Sequence, residues 1–366
     1  MSVERPARPM VVAHRGASIE QPENTIEAFE AAIDAGADAV EFDVRMTADG
    51  HAVVMHDPDV SRTTDGSGLV AEMSLEEIRE LGVPTLEEAL RCLSGRAAAD
   101  IEIKNQPGEP DFTPDREPAL EATHVALDAV GFSGQVIVSS FNPASIAHCR
   151  ALRPEVPTGL LTEYDVDAED ALTRATDHGH PWVLPFVSQV LDAGEGFTDR
   201  VHDAGTLLGV WIADDPETAR RLYELGADAV ATNDPRSIVH MRESARRRQK
   251  LDRLIGEAAE HTRFMRQSDN TPWRVIRAWL VERGFEPERC VIATLEPEEG
   301  GWICIVLVPD VGVLRVDAMH GTRGDINRQR ADTTIGHWEE VDAPHQLWYD
   351  AELDAARQIA ASESPT

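Results

Sequence analysis

Residues 10–44 read MVVAHRGASIEQPENTIEAFEAAIDAGADAVEFDV, a short apolar run, a helical stretch and a second apolar run. The first run, Met10–His14, has the length and composition of a buried strand. In the middle segment Ile26, Phe29 and Ile33 recur along one helical face. Asn24 stands where an N-cap belongs, Glu27 follows three residues later, and Gly36 ends the pattern. The second run, Ala39–Val44, is again strand-like. The same rhythm continues through Asp100–Lys104, Gln135–Ser140, Thr158–Leu161, Val183–Phe186, Leu207–Ile212 and Asp228–Ala231, with helical patterns between them. Eight strands alternating with helices over roughly 240 residues predict an α/β chain folded as a (β/α)₈ TIM barrel. A doubly wound open sheet has the same local rhythm and is the structural alternative.

The 366 residues divide on this reading into a barrel over 1–249 and a small α+β domain over 250–366. An arginine-rich stretch between about 241 and 256, with Arg242, Arg246, Arg247, Arg248, Lys250 and Arg253, is expected to be a solvated helix face. Beyond it, Trp273–Arg283 reads as a helix. Trp302–Val308, Gly312–Ala318 and Thr333–Glu339 read as strands, and a helical tail follows. Trp273, Trp302, Trp338 and Trp348 are expected in the core of this part.

With 34 basic and 66 acidic residues the formal net charge is −32, which argues against binding nucleic acid as a polymer or resting on an anionic membrane. Hydrophobic residues at 42% suffice for a sizeable core. No apolar run approaches the roughly 18 residues of a membrane span. The N-terminus shows no signal-peptide core, and Cys92, Cys149, Cys290 and Cys304 lack metal-ligand spacing. These features predict a cytoplasmic protein with reduced cysteines.

Strand phase singles out the chemistry. In Ala39–Val44 alternation sets Glu41 and Asp43 on one face and Val40, Phe42 and Val44 on the other. The apolar set should pack under the outer helices, which aims the carboxylates into the barrel mouth. Glu102 and Lys104 repeat the device on the next strand, opposite Ile101 and Ile103. Confined like charges repel, and three carboxylates in one mouth are better satisfied around a hard divalent cation. Three unrelated acids of an acid-rich surface are the alternative.

His14-Arg15-Gly16 closes the first strand at the rim where such barrels carry catalysis. Asp49-Gly50 suits a two-residue hairpin turn. Centring that turn on Asp49 and Gly50 pairs Asp43 with His56, which returns His56-Asp57 to the level of the carboxylates. Two imidazoles flanking a cation suit phosphate-ester chemistry, one removing a proton from the nucleophile and the other protonating the leaving oxygen. Lys104 and Lys250 are the two lysines of the chain, so a lysine in a carboxylate-lined mouth stands out. Its compact ammonium, with Arg15, supplies two cations for a phosphate.

Ala13-His14-Arg15-Gly16, Pro22-Glu23-Asn24-Thr25, Glu41-Phe42-Asp43-Val44, His56-Asp57, Arg62-Thr63-Thr64, Pro84-Thr85-Leu86, Glu102-Ile103-Lys104 and Ser139-Ser140-Phe141 together resemble the glycerophosphodiester phosphodiesterases over about residues 10–240. The resemblance implies a TIM barrel that uses Mg²⁺ or Ca²⁺ to hydrolyse a small glycerophosphodiester to glycerol 3-phosphate and an alcohol. It assigns His14 and His56 to acid–base catalysis, and Arg15 and Lys104 to the phosphate. Glu41, Asp43 and Glu102 fall to the metal. It further implies that 57–98 is a small helical insertion beside the mouth and that Phe141 and Trp211 line the substrate cleft. One departure is Trp211-Ile212-Ala213-Asp214, where the family commonly has Trp-Thr-Val-Asn, so the resemblance does not carry a contact to the alcohol or glycerol side over to Asp214. Phospholipase D-like or sphingomyelinase D-like action on lysolipids is the rival activity. A barrel that binds a phosphodiester without turnover is the rival from another class.

Overall fold

A computed structural model describes residues 5–243, six positions between 277 and 287, and the backbone of four strands between 291 and 340. Contacts divide the chain into two units, Met1–Glu243 and Ser244–Thr366.

In the first unit eight parallel strands close into a barrel. They are β1 (Met10–His14), β2 (Ala39–Met46), β4 (Ala98–Ile103), β5 (Val136–Ser140), β6 (Thr158–Leu161), β7 (Trp182–Leu184), β8 (Leu207–Val210) and β9 (Ala229–Thr232). Each pairs with the next, and β9 and β2 both pair with β1, so no open edge remains between first and last. This excludes the open doubly wound sheet. Helix α1 (Ile26–Ala35) follows β1 and is stopped by Gly36 in the left-handed region, whose N–H donates to the carbonyls of Ala32 and Ile33. Its N-cap is Thr25 rather than Asn24: the Thr25 hydroxyl accepts from the Ala28 N–H, and Asn24 has a φ of +59° that turns its side chain elsewhere.

Alternation sorts the strands as expected. Phe42, Val44, Ile101 and Ile103 are fully buried beneath the helices, and Phe42 meets Phe29 of α1 with ring centroids 5.5 Å apart. Each such burial contributes about 1.5–3 kcal/mol. Val12, Ala39, Trp182, Leu184, Leu207 and Ala229 form a separate cluster inside the barrel. Leu184 fills its centre, so a Cβ added to Gly159 or Gly209 would lie 2.6 or 2.5 Å from a Leu184 methyl. The inward positions of these two strands must be bare for the barrel to close around one large side chain.

Between β2 and β4, β3 (Ala52–Val54) returns antiparallel to β2. The hairpin differs by one residue from the sequence expectation: Val44 pairs with Val54, and the Met55 N–H donates to the Asp43 carbonyl, so Met55 and not His56 lies opposite Asp43. The loop has three residues, 48–50, closed by the Thr47 N–H to the His51 carbonyl, with Gly50 at a φ of +83°. A three-residue loop ending in a left-handed glycine accommodates Asp-Gly as well as a two-residue turn does. Two 3₁₀ turns, Val60–Arg62 and Val70–Glu72, and the short α2 (Leu75–Glu80) then pack over a satellite core of Val53, Val60, Val70 and Ile78. The following α3 (Leu86–Leu93), started by a Thr85–Glu88 capping box, buries Leu86, Leu90 and Leu93 in the main core with α1. It is a barrel helix, so the inserted segment ends near residue 85 rather than at 98.

Outside the barrel unit, β10 (Val291–Glu298), β11 (Gly301–Val308), β12 (Gly312–Met319) and β13 (Thr334–Glu340) form an antiparallel sheet in chain order. Three of these match the strands read from sequence. The fourth, β10, contains Pro297, which reads against a strand but is tolerated because β10 is an edge. The predicted helix 273–283 falls mostly outside the described residues, as do the tail and the arginine-rich stretch beyond Glu243. Arg242 itself is buried, donating to the Pro9 carbonyl at 3.0 Å and paired with Asp38, which differs from the solvated face expected for it. Among the described residues no helix is long and apolar enough to cross a membrane.

Candidate active site

The end of β1 makes an abrupt turn. Arg15 and Gly16 both lie in the left-handed region, at φ +57° and +84°, and a Cβ on Gly16 would sit 2.6 Å from that of Ala28. The turn lets the Arg15 N–H donate to the Glu41 main-chain oxygen at 2.9 Å and to Glu41 Oε2 at 3.0 Å. Backbone strain of this kind is held by the surrounding structure and clusters at functional sites.

Parity in β2 and β4 brings Glu41, Asp43 and Glu102 together, all buried, with one oxygen from each lying within 4.8 Å of the others. Asp43 is the most heavily partnered. It accepts from Asn24 Nδ2 at 2.7 Å, and Lys104 Nζ and Arg15 Nε lie 3.0 and 3.4 Å from its oxygens. Burial would raise its pKa, but Lys104 and Arg15 hold it far below the ordinary carboxylate range. Glu41 is pushed well up by burial and by the charges of Asp43 and Glu102. Glu102 is raised by burial to about 7, against the pull of Lys104. Lys104, despite burial, is raised by Asp43 and Glu102 and is a firm ammonium. Glu41 Oε1 is buried without a hydrogen-bond partner. A buried carboxylate oxygen without a donor is costly, and an all-oxygen cluster of this composition fits a hard divalent cation.

Two histidines face this cluster with different supports. His14 Nε2 is 3.9 Å from Glu41 Oε2, while its Nδ1 is 2.8 Å from Asn233 Oδ1. Burial, with help from the Arg15 charge, lowers its pKa to about 4. His56 Nδ1 is 2.6 Å from Asp57 Oδ1. Its pKa is lowered less, by burial and Lys104, with Asp43 and Asp57 opposing. Asp57 also pairs with Arg62, Arg62 with Glu23, and Glu23 Oε1 accepts from Arg15 at 2.9 Å. One chain of ion pairs therefore runs from His56 to Arg15. On its other side Arg45, fully buried, donates from Nε to the His56 carbonyl at 2.8 Å and holds Glu109 and Asp111.

The mouth opens into a cavity of about 940 Å³ that continues down the barrel past Leu184 and Val12 to Arg8 and Asp38; at the mouth it is lined by His14, Arg15, Glu41, His56, Glu102, Lys104, Phe141 and Trp211. Phe141 meets Trp211 edge-on with centroids 5.3 Å apart, and Lys104 Nζ lies 5.9 Å from the Phe141 ring. All nine residues singled out from sequence thus gather at one end of the barrel, Asp43 behind the lining. Sequence reasoning overlooked the tasks of Asn24, Asn233 and Asp100. Asp100, raised to about 7 by burial and holding the Ser139 hydroxyl at 2.7 Å, has the same strand phase as Glu102. That phase was the available signal. The Asp214 carboxylate is taken up by Thr232 and Asn233.

A closed parallel barrel with buried carboxylates, two supported histidines and two cations at the carboxyl ends of its strands defines a class of phosphoester hydrolase. Residues 14–237 match the model of the glycerophosphoryl diester phosphodiesterase family. A glycerophosphodiester phosphodiesterase of Caldanaerobacter subterraneus subsp. tengcongensis is 32% identical over 249 residues, covering 63% of this chain and 97% of its own. One from Bacillus subtilis is 33% identical over 261 residues, covering 63% and 85%. Among solved structures, an Oleispira antarctica phosphodiesterase in complex with the product sn-glycerol-3-phosphate is 28% identical, with a TM-score of 0.55 over 64% of this chain and 96% of that one. The glycerophosphodiester phosphodiesterase of Thermotoga maritima is 26% identical, with a TM-score of 0.54 over 65% of this chain and 100% of its own. The chain belongs to the glycerophosphoryl diester phosphodiesterase family and is a phosphoric diester hydrolase.

Proposed function

We propose that the protein hydrolyses small glycerophosphodiesters to glycerol 3-phosphate and an alcohol in a reaction that requires Mg²⁺ or Ca²⁺ and two histidines. The observation that carries the reading is the buried Glu41–Asp43–Glu102 cluster with an unpartnered Glu41 oxygen, set between His14 and His56. Those three carboxylates would hold the cation, which would supply Lewis acidity at the phosphate and favour deprotonation of the attacking hydroxyl. Neutral His14 takes the proton of the glycerol 2-hydroxyl as that oxygen attacks phosphorus. His56, whose imidazolium is favoured by Asp57, protonates the departing alcohol oxygen. The cyclic phosphate left behind is opened by water with the two roles reversed. Arg15 and Lys104 stabilise charge that builds on the phosphoryl oxygens. Phe141 and Trp211 form the apolar side of the cleft.

The test is incubation of the protein, with and without EDTA, with a panel of glycerophosphodiesters while glycerol 3-phosphate is measured. Product formation is expected only where divalent cation is present. Retention of full activity by His14→Ala or Glu41→Ala at saturating Mg²⁺ would sink the mechanism.

A further inference from the structure

We infer that Asp214, acting through Asn233, determines which ring nitrogen of His14 carries the proton and so presents Nε2 to the site as an acceptor. The catalytic consequence rests on His14 being the base proposed above.

Asp214 follows β8, Asn233 follows β9 and His14 ends β1, three neighbouring strands of the barrel. Asp214 Oδ1 accepts from the Asn233 N–H at 2.6 Å and from the Thr232 hydroxyl at 3.1 Å, and Oδ2 accepts from Asn233 Nδ2 at 2.8 Å. A carboxylate only accepts, so the amide nitrogen of Asn233 must face Asp214 and its oxygen must face the other way. That oxygen lies 2.8 Å from His14 Nδ1 and also takes the Ser18 hydroxyl at 2.9 Å. Against an oxygen that has no proton to give, His14 Nδ1 has to donate. The neutral ring then carries its lone pair on Nε2, the nitrogen directed at Glu41. Asp214 is exposed, so the carboxylate is not needed to fill the core. Position 214 is where this chain departs from the family pattern, and here the departing residue has a task. Asp214 is a positioning residue two hydrogen bonds removed from the ring.

Histidine-selective nitrogen-15 labelling, with long-range nitrogen–carbon-bound-proton spectra, reads the tautomer directly in the substrate-free protein. His14→Gln identifies the His14 signals by their loss. In the wild type Nδ1 is expected to be the protonated nitrogen. Asp214→Asn keeps the shape; the main-chain N–H of Asn233 claims the single amide oxygen at the Oδ1 position, which sets the amide N–H₂ against Asn233 Nδ2. Two facing donors are relieved when Asn233 turns over, which puts Nδ2 against His14 and inverts the tautomer. The expected kinetic effect is a fall in kcat of about 10²-fold, the lower end of what a positioned acid–base group contributes, with KM unmoved. In the double variant Asp214→Asn/Asn233→Asp, the carboxylate at position 233 accepts from position 214 and from His14. Tautomer and kcat should both return, which a loss of structure would not permit. An Asp214→Asn protein with the wild-type tautomer overturns the inference. An inverted tautomer with unchanged turnover supports the relay and removes His14 as the base. A wild type that hydrolyses no diester refutes the proposed function, and the relay then stands or falls on the nitrogen spectra alone.

Discussion

Nδ2 of Asn24 lies 2.7 Å from Oδ2 of Asp43, and it reaches that oxygen only because the Asn24 backbone is left-handed. A helix cap at Asn24 would have turned the amide toward α1. With Thr25 taking the cap, the amide is free to hold the most acidic carboxylate of the cluster in one rotamer, and the Asp43 N–H approaches Asn24 Oδ1 at 3.5 Å in return. Local chain geometry at a helix start thereby fixes a side chain of the candidate metal site.

Asn24→Ala is expected to weaken divalent-cation affinity by about 10- to 100-fold, as is usual when a partner of a metal-binding carboxylate is removed. Calorimetric titration of wild type and variant with Mg²⁺ and with Ca²⁺ measures it. Helix α1 should be kept, because its cap is Thr25, so unchanged far-ultraviolet circular dichroism separates the two effects.

Metal-free protein should lose stability as pH rises from 6.5 to 8. Glu102 and Asp100 titrate at about 7 in the folded chain, against ordinary values of 4.5 and 3.8. Groups raised on folding bind more protons folded than unfolded, so their stabilisation is complete at low pH and disappears as pH passes the folded value. Glu41, pushed well up by burial and its neighbouring carboxylates, adds to the fall. His14, His56, His124 and His180, all lowered by burial, act in the opposite sense while the unfolded imidazoles still take up protons, which fades by about pH 7.5, and offset the fall only in part. Thermal melts in EDTA should therefore show a falling Tm over this window. If Glu41, Asp43 and Glu102 hold the cation as proposed, saturating cation should flatten the Glu102 part, and cation affinity itself should rise with pH.

Gly16→Ala should destabilise the barrel by at least about 2 kcal/mol. The substitution combines a left-handed φ of +84° with a Cβ within 2.6–2.8 Å of three Ala28 atoms, each a source of about 1–3 kcal/mol. Relief requires α1 to move away from β1, carrying Arg15 off Glu41. Denaturant unfolding gives the stability loss, and residual activity of the folded fraction should be low.

Periodicity disclosed the barrel and the carboxylate face, because strand alternation and helix recurrence are properties of neighbours in sequence. Glu41, Asp43, Glu102 and Lys104 were legible for that reason, and Asp100 was equally legible by the same phase. The hairpin register was not, since Asp-Gly suits loops of two or three residues and one residue decides whether Met55 or His56 faces Asp43. Asn233 and Asn24 were illegible as site residues. Their tasks depend on partners 219 and 19 positions away and, for Asn24, on a φ that composition does not encode. Proline in β10 concealed a strand whose edge position only the sheet order reveals.

On the proposed mechanism the unequal supports of the two histidines separate their roles. His56 has a carboxylate on Nδ1, His14 an amide oxygen. Asp57→Asn keeps a hydrogen-bond acceptor for His56 and removes the charge that favours its imidazolium, so the acid form becomes scarcer. The same substitution cuts the path through Arg62 and Glu23 that steadies Arg15. A fall in kcat of about 10²-fold is expected. Because the loss is one of protonated acid, it should shrink for a substrate with a good leaving group such as a nitrophenyl ester, which departs without a proton. His14→Ala should stay as damaging with that ester as with a natural glycerophosphodiester, since the nucleophile still has to be deprotonated. Equal losses for Asp57→Asn on both substrates would place its effect on the path to Arg15 rather than on the acid.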